Sequence, residues 1–180
     1  GLLVSVAELA GRLDDPRLVL IQVDRDPAAY ADGHIPGARS VPLRTIVVER
    51  NGIPNELPPV AQLDSVLESV GVSNESRIVI YGDPLAAGRL FFTLDYLGLG
   101  GQASLLDGGL AAWRAAGLPL AQRVDSVARG RLEPRVQSGI LIEATELAGR
   151  LGDSMLVILD ARPPAEYRGE VAGDGVPRAG

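Results

Sequence analysis

The stretch Gly82-Asp83-Pro84-Leu85-Ala86-Ala87-Gly88-Arg89 follows the apolar run Ile78-Val79-Ile80-Tyr81. Small residues between a buried strand and a helix, with an arginine at the helix start, have the form of an anion-binding loop, but Asp83 puts a negative charge at its mouth and the loop is read as a degenerate active-site loop rather than a working one. Backbone N–H groups line such a loop, and the helix N-terminus adds partial positive charge. The loop lacks a nucleophile, however. The chain has no cysteine and no lysine, and all 17 basic residues are arginines. Thiolate chemistry, Cys-ligated metals, Schiff bases and lysine-dependent phosphate loops are therefore excluded for these 180 residues. The single histidine lies in Gly33-His34-Ile35-Pro36-Gly37-Ala38. It is read as fixing this loop through hydrogen bonds beside Pro36 and Gly37, because a lone histidine signals little by itself. Asp24 closes an apolar run and is read as binding backbone or arginine rather than as an acid or base. Asp107-Gly108-Gly109 resembles a phosphate or metal loop in isolation, but a turn whose aspartate caps the next helix accounts for it. Trp113 reads as core packing. No metal and no cofactor are expected.

The elements that hold these residues follow from composition and pattern. The chain is 46% hydrophobic and 22% charged, a globular balance. With 23 acidic residues against 17 basic, its net charge is -6, which argues against a nucleic-acid partner. No window approaches the roughly 18 apolar residues of a membrane span. The chain opens on Gly1 without a basic and apolar leader, so no secretory signal is expected, and the compartment stays open between cytoplasm and periplasm.

Glu8-Leu9-Ala10-Gly11-Arg12-Leu13 recurs identically as Glu146-Leu147-Ala148-Gly149-Arg150-Leu151. An apolar run, an aspartate (Asp24, Asp160) and a tyrosine (Tyr30, Tyr167) follow in both copies, at offsets of 136 to 138. A period this long is domain-sized and implies a tandem duplication. The expected organisation is a complete unit over 1–122, a low-hydrophobicity linker over 123–139 and the opening part of a second unit over 140–180. A helix, a strand and a loop cannot bury a core alone, so an exposed apolar patch is expected in the second copy.

In the first unit, Ser5-Val6-Ala7-Glu8 is a capping box that opens a helix. Short apolar strands are expected over 18–23, 77–81 and 103–106, and a turn of helix over 27–30. Helices are expected over 60–70, 89–97 and 110–116, with a small-residue loop over 82–88. Alternating strands and helices predict an α/β fold with a central parallel sheet flanked by helices. Ligands in such sheets sit at the carboxyl ends of the strands, which places the candidate site after Tyr81.

Taken in order, the strand ending in Asp24, Gly33-His34-Ile35-Pro36-Gly37-Ala38, Ile78-Val79-Ile80-Tyr81, Leu106-Asp107-Gly108-Gly109 and Trp113 resemble the tandem rhodanese-family sulfurtransferases. The resemblance covers essentially the whole chain and implies a rhodanese-like domain followed by the start of a second. It further implies transfer of sulfane sulfur from thiosulfate or 3-mercaptopyruvate to a thiol or cyanide acceptor, through a persulfide on a cysteine that opens the loop after the central strand. This chain holds Gly82 at that position. In tandem members the first domain is typically non-catalytic and packs on the second, which carries the cysteine. The chain alone is therefore expected to be inactive, with the parent continuing into something close to His-Ile-Pro-Gly and then a cysteine. Arg162, in Asp160-Ala161-Arg162, would line the active site of the full-length parent or form a surface ion pair. The alternative is a non-catalytic binding or regulatory module on the same fold. A cysteine phosphatase is excluded for this chain by the same missing residue.

Overall fold

In the computed structural model, residues 1–26, 28–123 and 125–172 are described. Pro27 of the expected helical turn, Val124 of the expected linker and the end of the second copy, 173–180, lie outside the described residues.

After a short strand β1 (Leu3–Val4), the capping box forms as expected: Ser5 N–H donates to Glu8 Oε2 at 3.0 Å and Glu8 N–H to Ser5 Oγ at 3.3 Å, opening α1 (Val6–Ala10). Then follow β2 (Leu18–Val23), α2 (Ala28–Ala31) and β3 (Arg39–Ser40). A hairpin of β4 (Val48–Arg50) and β5 (Ile53–Glu56) comes next. The rest of the unit is α3 (Val60–Ser69), β6 (Arg77–Gly82), α4 (Pro84–Tyr96), β7 (Ala103–Leu106) and α5 (Gly109–Ala115). The five strands outside the hairpin form one sheet, ordered β1-β7-β6-β2-β3, and every pair in it is parallel.

Helices cover both faces of this sheet, so its central strands read as unbroken apolar runs. Side chains alternate between the faces. Val19, Ile21, Val23, Ile78 and Ile80 pack with Leu63, Leu67, Leu90 and Leu94 of α3 and α4. Leu20, Val79 and Tyr81 face the other way, onto Leu9, Tyr30 and Trp113. Trp113 is buried, and its Nε1–H donates to the Pro119 carbonyl at 2.9 Å.

Two expected boundaries change. The helix expected over 89–97 begins five residues earlier, at Pro84, so most of the expected small-residue loop is helical. The β4–β5 hairpin was absent from the sequence reading, although Asn51-Gly52, both at positive φ, is a strong hairpin dipeptide.

From Arg129 to Gln137 the expected linker forms a strap bonded to the first unit. Leu132 is only 4% exposed and belongs to the α3–α4 core. Glu68 on α3 holds the strap by three bonds: its carbonyl accepts Gly130 N–H at 2.8 Å, its Oε1 accepts Leu132 N–H at 2.9 Å, and its Oε2 accepts the Arg129 guanidinium at 2.7 Å. Asn74 exchanges two further bonds with the Glu133 backbone, at 2.8 and 3.1 Å. Arg135 N–H and Gln137 N–H then donate to the Leu97 and Tyr96 carbonyls.

These bonds, the Leu132 N–H first and then Arg129, hold the Glu68 carboxyl below the ordinary glutamate range. A lowered folded value means the contribution is complete above the ordinary value, near 4.3, and is lost as pH falls from there through the lowered one. Amide exchange at Leu132 should therefore lose protection as pH falls below about 4.3 by more than intrinsic exchange accounts for. Glu68→Gln should flatten that dependence.

In the second copy, α6 (Ala144–Gly149) and α7 (Pro164–Tyr167) form. The strand expected between them does not. Met155, Val157 and Leu159 are 87%, 77% and 87% exposed. Their counterparts in β2 lie between β3 and β6, whereas among the described residues 155–159 have no neighbour with which to share a ladder.

Candidate functional site

The carboxyl ends of β2, β6 and β7 converge on an open depression of about 850 Å3. It brings together Asp24, Gly82, Asp83, Pro84, Ala87 and Asp107-Gly108-Gly109 from the sequence reading. Leu85 and Arg89 line a different hollow. Ala86 is buried in the core and Gly88 is exposed on α4.

The β6–α4 turn is short and largely engaged with itself. One residue, Asp83, separates strand from helix, and it is the N-cap. Its Oδ1 accepts Ala86 N–H at 2.9 Å, and its carbonyl accepts Ala87 N–H at 2.8 Å. Pro84, in the first turn, has no N–H to offer. The Asp83 N–H is held by the Val23 carbonyl at 2.9 Å and by Asp24 Oδ1 at 3.0 Å. Three of the turn's N–H groups, those of Asp83, Ala86 and Ala87, are thus taken by the protein's own carboxylates and carbonyls.

Gly82 has φ +127°. A Cβ built there would lie 2.2 Å from the Val23 carbonyl oxygen and 2.9 Å from its carbon, both rigid backbone of the neighbouring strand. A side chain at this position, a cysteine included, requires the strand ends to separate.

Asp24 accepts from backbone and from a neighbouring side chain: besides the Asp83 N–H, it accepts Gln22 Nε2–H at 2.6 Å. His34 is buried. Its Nδ1 lies 2.9 Å from the Tyr30 carbonyl, which can only accept, so Nδ1 carries the proton. The ring stacks on Tyr30 with centroids 3.8 Å apart, and the His34 backbone bridges to Ala121. The loop of Pro36 and Gly37 is joined to the central strand through Tyr81, whose hydroxyl accepts Ile35 N–H at 3.0 Å. Burial pushes this phenol well above its ordinary pKa.

Asp107 does not cap α5. That position belongs to Gly108 in a left-handed conformation, with no side-chain cap, while Asp107 is exposed. Arg162 clasps Asp160, with Nε and Nη2 at 2.9 and 2.7 Å from Oδ2, and this pairing holds the Asp160 carboxyl below its usual range. Among the described residues no group of three or more His, Asp or Glu side chains could hold a metal, and no helix is long and apolar enough to cross a membrane.

The sequence reading missed a cationic hollow on the α4 side of the turn, of about 580 Å3, lined by Arg25, Arg44 and Arg89. Arg89 donates to the Asn55 carbonyl, and burial lowers its pKa. Arg25 lies 3.9 Å from Asp83 Oδ1, which separates this hollow from the depression. No spacing signal joins residues so far apart in the chain. Gln22 was also missed. Its signal was present: a lone amide in the otherwise apolar Leu18–Val23 run.

A rhodanese-like domain model matches residues 5–116. The Pseudomonas aeruginosa protein named "Probable 3-mercaptopyruvate sulfurtransferase" is 37% identical over 186 residues, covering 94% of this chain and 64% of that one. A thiosulfate sulfurtransferase of Azotobacter vinelandii is 37% identical over 171 residues, covering 94% of this chain and 62% of that one. The chain thus spans a little under two thirds of the length of these curated relatives. In fold it is similar to the crystal structure of SseA from Escherichia coli, with a TM-score of 0.85 at 24% identity over 99% of this chain and 72% of that one. The parallel sheet, the ordered motifs and the match to the domain model together establish that the chain belongs to the rhodanese family.

Proposed function

We propose that these residues are the non-catalytic first unit (1–122), the connecting strap (123–139) and the opening part of the second unit (140–180) of a sulfurtransferase. The parent moves sulfane sulfur from thiosulfate or 3-mercaptopyruvate to a thiophilic acceptor. In the thiosulfate reaction a cysteine thiolate in the rest of the second unit takes the sulfane sulfur and releases sulfite. The persulfide passes that sulfur to cyanide, giving thiocyanate and restoring the thiolate. The first unit supplies a wall of the cleft.

The observation that carries this reading is the closed turn at Gly82, where the family's sulfur position has neither a cysteine nor room for one. Two features support it. The exposed apolar run around 155–159 is what an unfinished sheet leaves behind. Arg25, Arg44 and Arg89 give the first unit a positive concavity in a chain of net charge -6, suited to drawing in anionic donors.

The test is a thiosulfate:cyanide assay of the 180-residue chain beside the full-length parent. The chain should form thiocyanate at the buffer rate and the parent well above it. Turnover by the chain alone would sink the reading. An inactive parent would favour the binding or regulatory module.

A further inference from the structure

We propose that the hollow lined by Arg25, Arg44 and Arg89 is a ligand site of the first unit, and that it takes a small organic oxyanion, a charged head on a short aliphatic body. The proposal goes beyond steering anions toward a cleft, and it stands whether or not the parent transfers sulfur.

Charge gives the head of the ligand. Three arginines line one hollow, Asn55 is the other polar residue there, and among the described residues no carboxylate lines it. Each arginine is short of an anion. Arg44, exposed on the helical turn Leu43–Thr45, has no side-chain hydrogen bond or ion pair among the described residues. Arg25 stands 3.9 Å from Asp83 Oδ1, beyond hydrogen-bond distance, with its side chain 61% exposed. Arg89 is half-buried, and its bond goes to a carbonyl, that of Asn55, instead of a carboxylate. Burial lowers its pKa, which the charge of Glu56 offsets in part. Like charges gathered without a counter-ion repel one another, and an oxyanion accepting from two guanidinium groups relieves that repulsion. Across Asp83, the neighbouring depression carries Asp24, Asp32, Asp83 and Asp107, so an anion is directed to the arginine side of the turn.

Size and walls give the body. The hollow measures about 580 Å3, in the range of small-molecule pockets and far larger than an inorganic oxyanion. Leu43, Val47 and Leu85 complete its lining. Leu85 is 71% exposed on the first turn of α4, an aliphatic side chain at the rim with no core to fill. An inorganic oxyanion would pair with the arginines and leave these three side chains uncovered; an aliphatic body covers them.

Butane-1-sulfonate is the probe. Titrated into the 180-residue chain and followed by 1H-15N NMR, it should shift the Leu85 backbone amide and the Arg89 Nε–H signal saturably. Butylammonium chloride and 1-butanol should give no saturable shift, and sodium sulfate should bind more weakly. Arg44→Gln should weaken butane-1-sulfonate about tenfold. Leu85→Ser, at an exposed position, should weaken it about threefold and leave sulfate binding unchanged. The full-length parent should bind the probe as the chain does; loss of binding there would assign the hollow to contact with the second unit. The proposal is overturned by that loss, by silence of both signals, by sulfate binding as tightly as butane-1-sulfonate, or by either variant binding the probe unchanged.

Discussion

Gly82→Cys, the substitution that restores the family's nucleophile by alignment, should leave the chain without thiosulfate:cyanide activity and destabilise it by about 3 kcal/mol or more. The new Cβ would meet the Val23 carbonyl oxygen at 2.2 Å, and φ +127° disfavours any side chain. Relief requires β2 and β6 to part where six residue pairs hold them in register. Two donors that could stabilise a thiolate, the Asp83 and Ala86 N–H groups, are also occupied by the Asp24 and Asp83 carboxylates. Gly88→Ala provides the contrast. It lies in the same stretch, inside α4, and its Cβ would have nothing within 4 Å. It should gain about 0.5–1 kcal/mol through helix propensity. Urea midpoints of the two variants should move in opposite directions. A Gly82→Cys midpoint within error of the parent chain, or measurable thiocyanate formation, would refute the closed-turn account.

Gly130→Ala should cost about 2–4 kcal/mol, although it adds one methyl group outside the sheet. The strap passes so close to the end of α3 that a Cβ at Gly130 would lie 1.9 Å from the Val72 carbonyl oxygen and 2.8 Å from the Gly71 carbonyl carbon. Backbone stands on both sides of the contact, so the strap must lift. Lifting exposes Leu132 and releases the bonds to Glu68, Ser73 and Asn74. Thermal unfolding should show the loss, and amide exchange should locate it at residues 130–137 and the α3 C-terminus while Asp83 and Ala86 stay protected. An unchanged melting temperature would show that the strap contributes no binding energy to the unit.

The parts of the fold legible in the sequence were those whose signal is local. β2, β6 and β7 are buried on both faces and announce themselves as apolar runs, and Ser5 with Glu8 marks the first helix by their spacing alone. The start of α4 was misplaced because Leu85-Ala86-Ala87-Gly88 has loop-like composition, while the true start signals were Asp83 at the cap and Pro84 after it. The depression holds Asp24, Gly82 and Asp107-Gly108-Gly109, all singled out from the sequence, but one inferred role fails for a geometric reason. The Gly108 conformation takes the cap from Asp107, while the Asp83 carboxylate bonds within the turn. The strap and the arginine trio were out of reach. Glu68 and Leu132 are 64 residues apart, and no pattern within either segment encodes their bond.

Under the proposed two-unit organisation, the strap would also set how far the second unit can wander. Read as a free linker, 123–139 would let the two halves of a parent protein sample a wide volume. Fastened as far as Gln137, which donates to the Tyr96 carbonyl, it leaves only a few residues of slack before α6 begins at Ala144. A shorter tether raises the effective concentration of one tethered unit at the other. If the parent has the proposed two units, the same bonds that bury Leu132 would set the local molarity at which the second meets the first, and strap-loosening variants such as Gly130→Ala should dilute it.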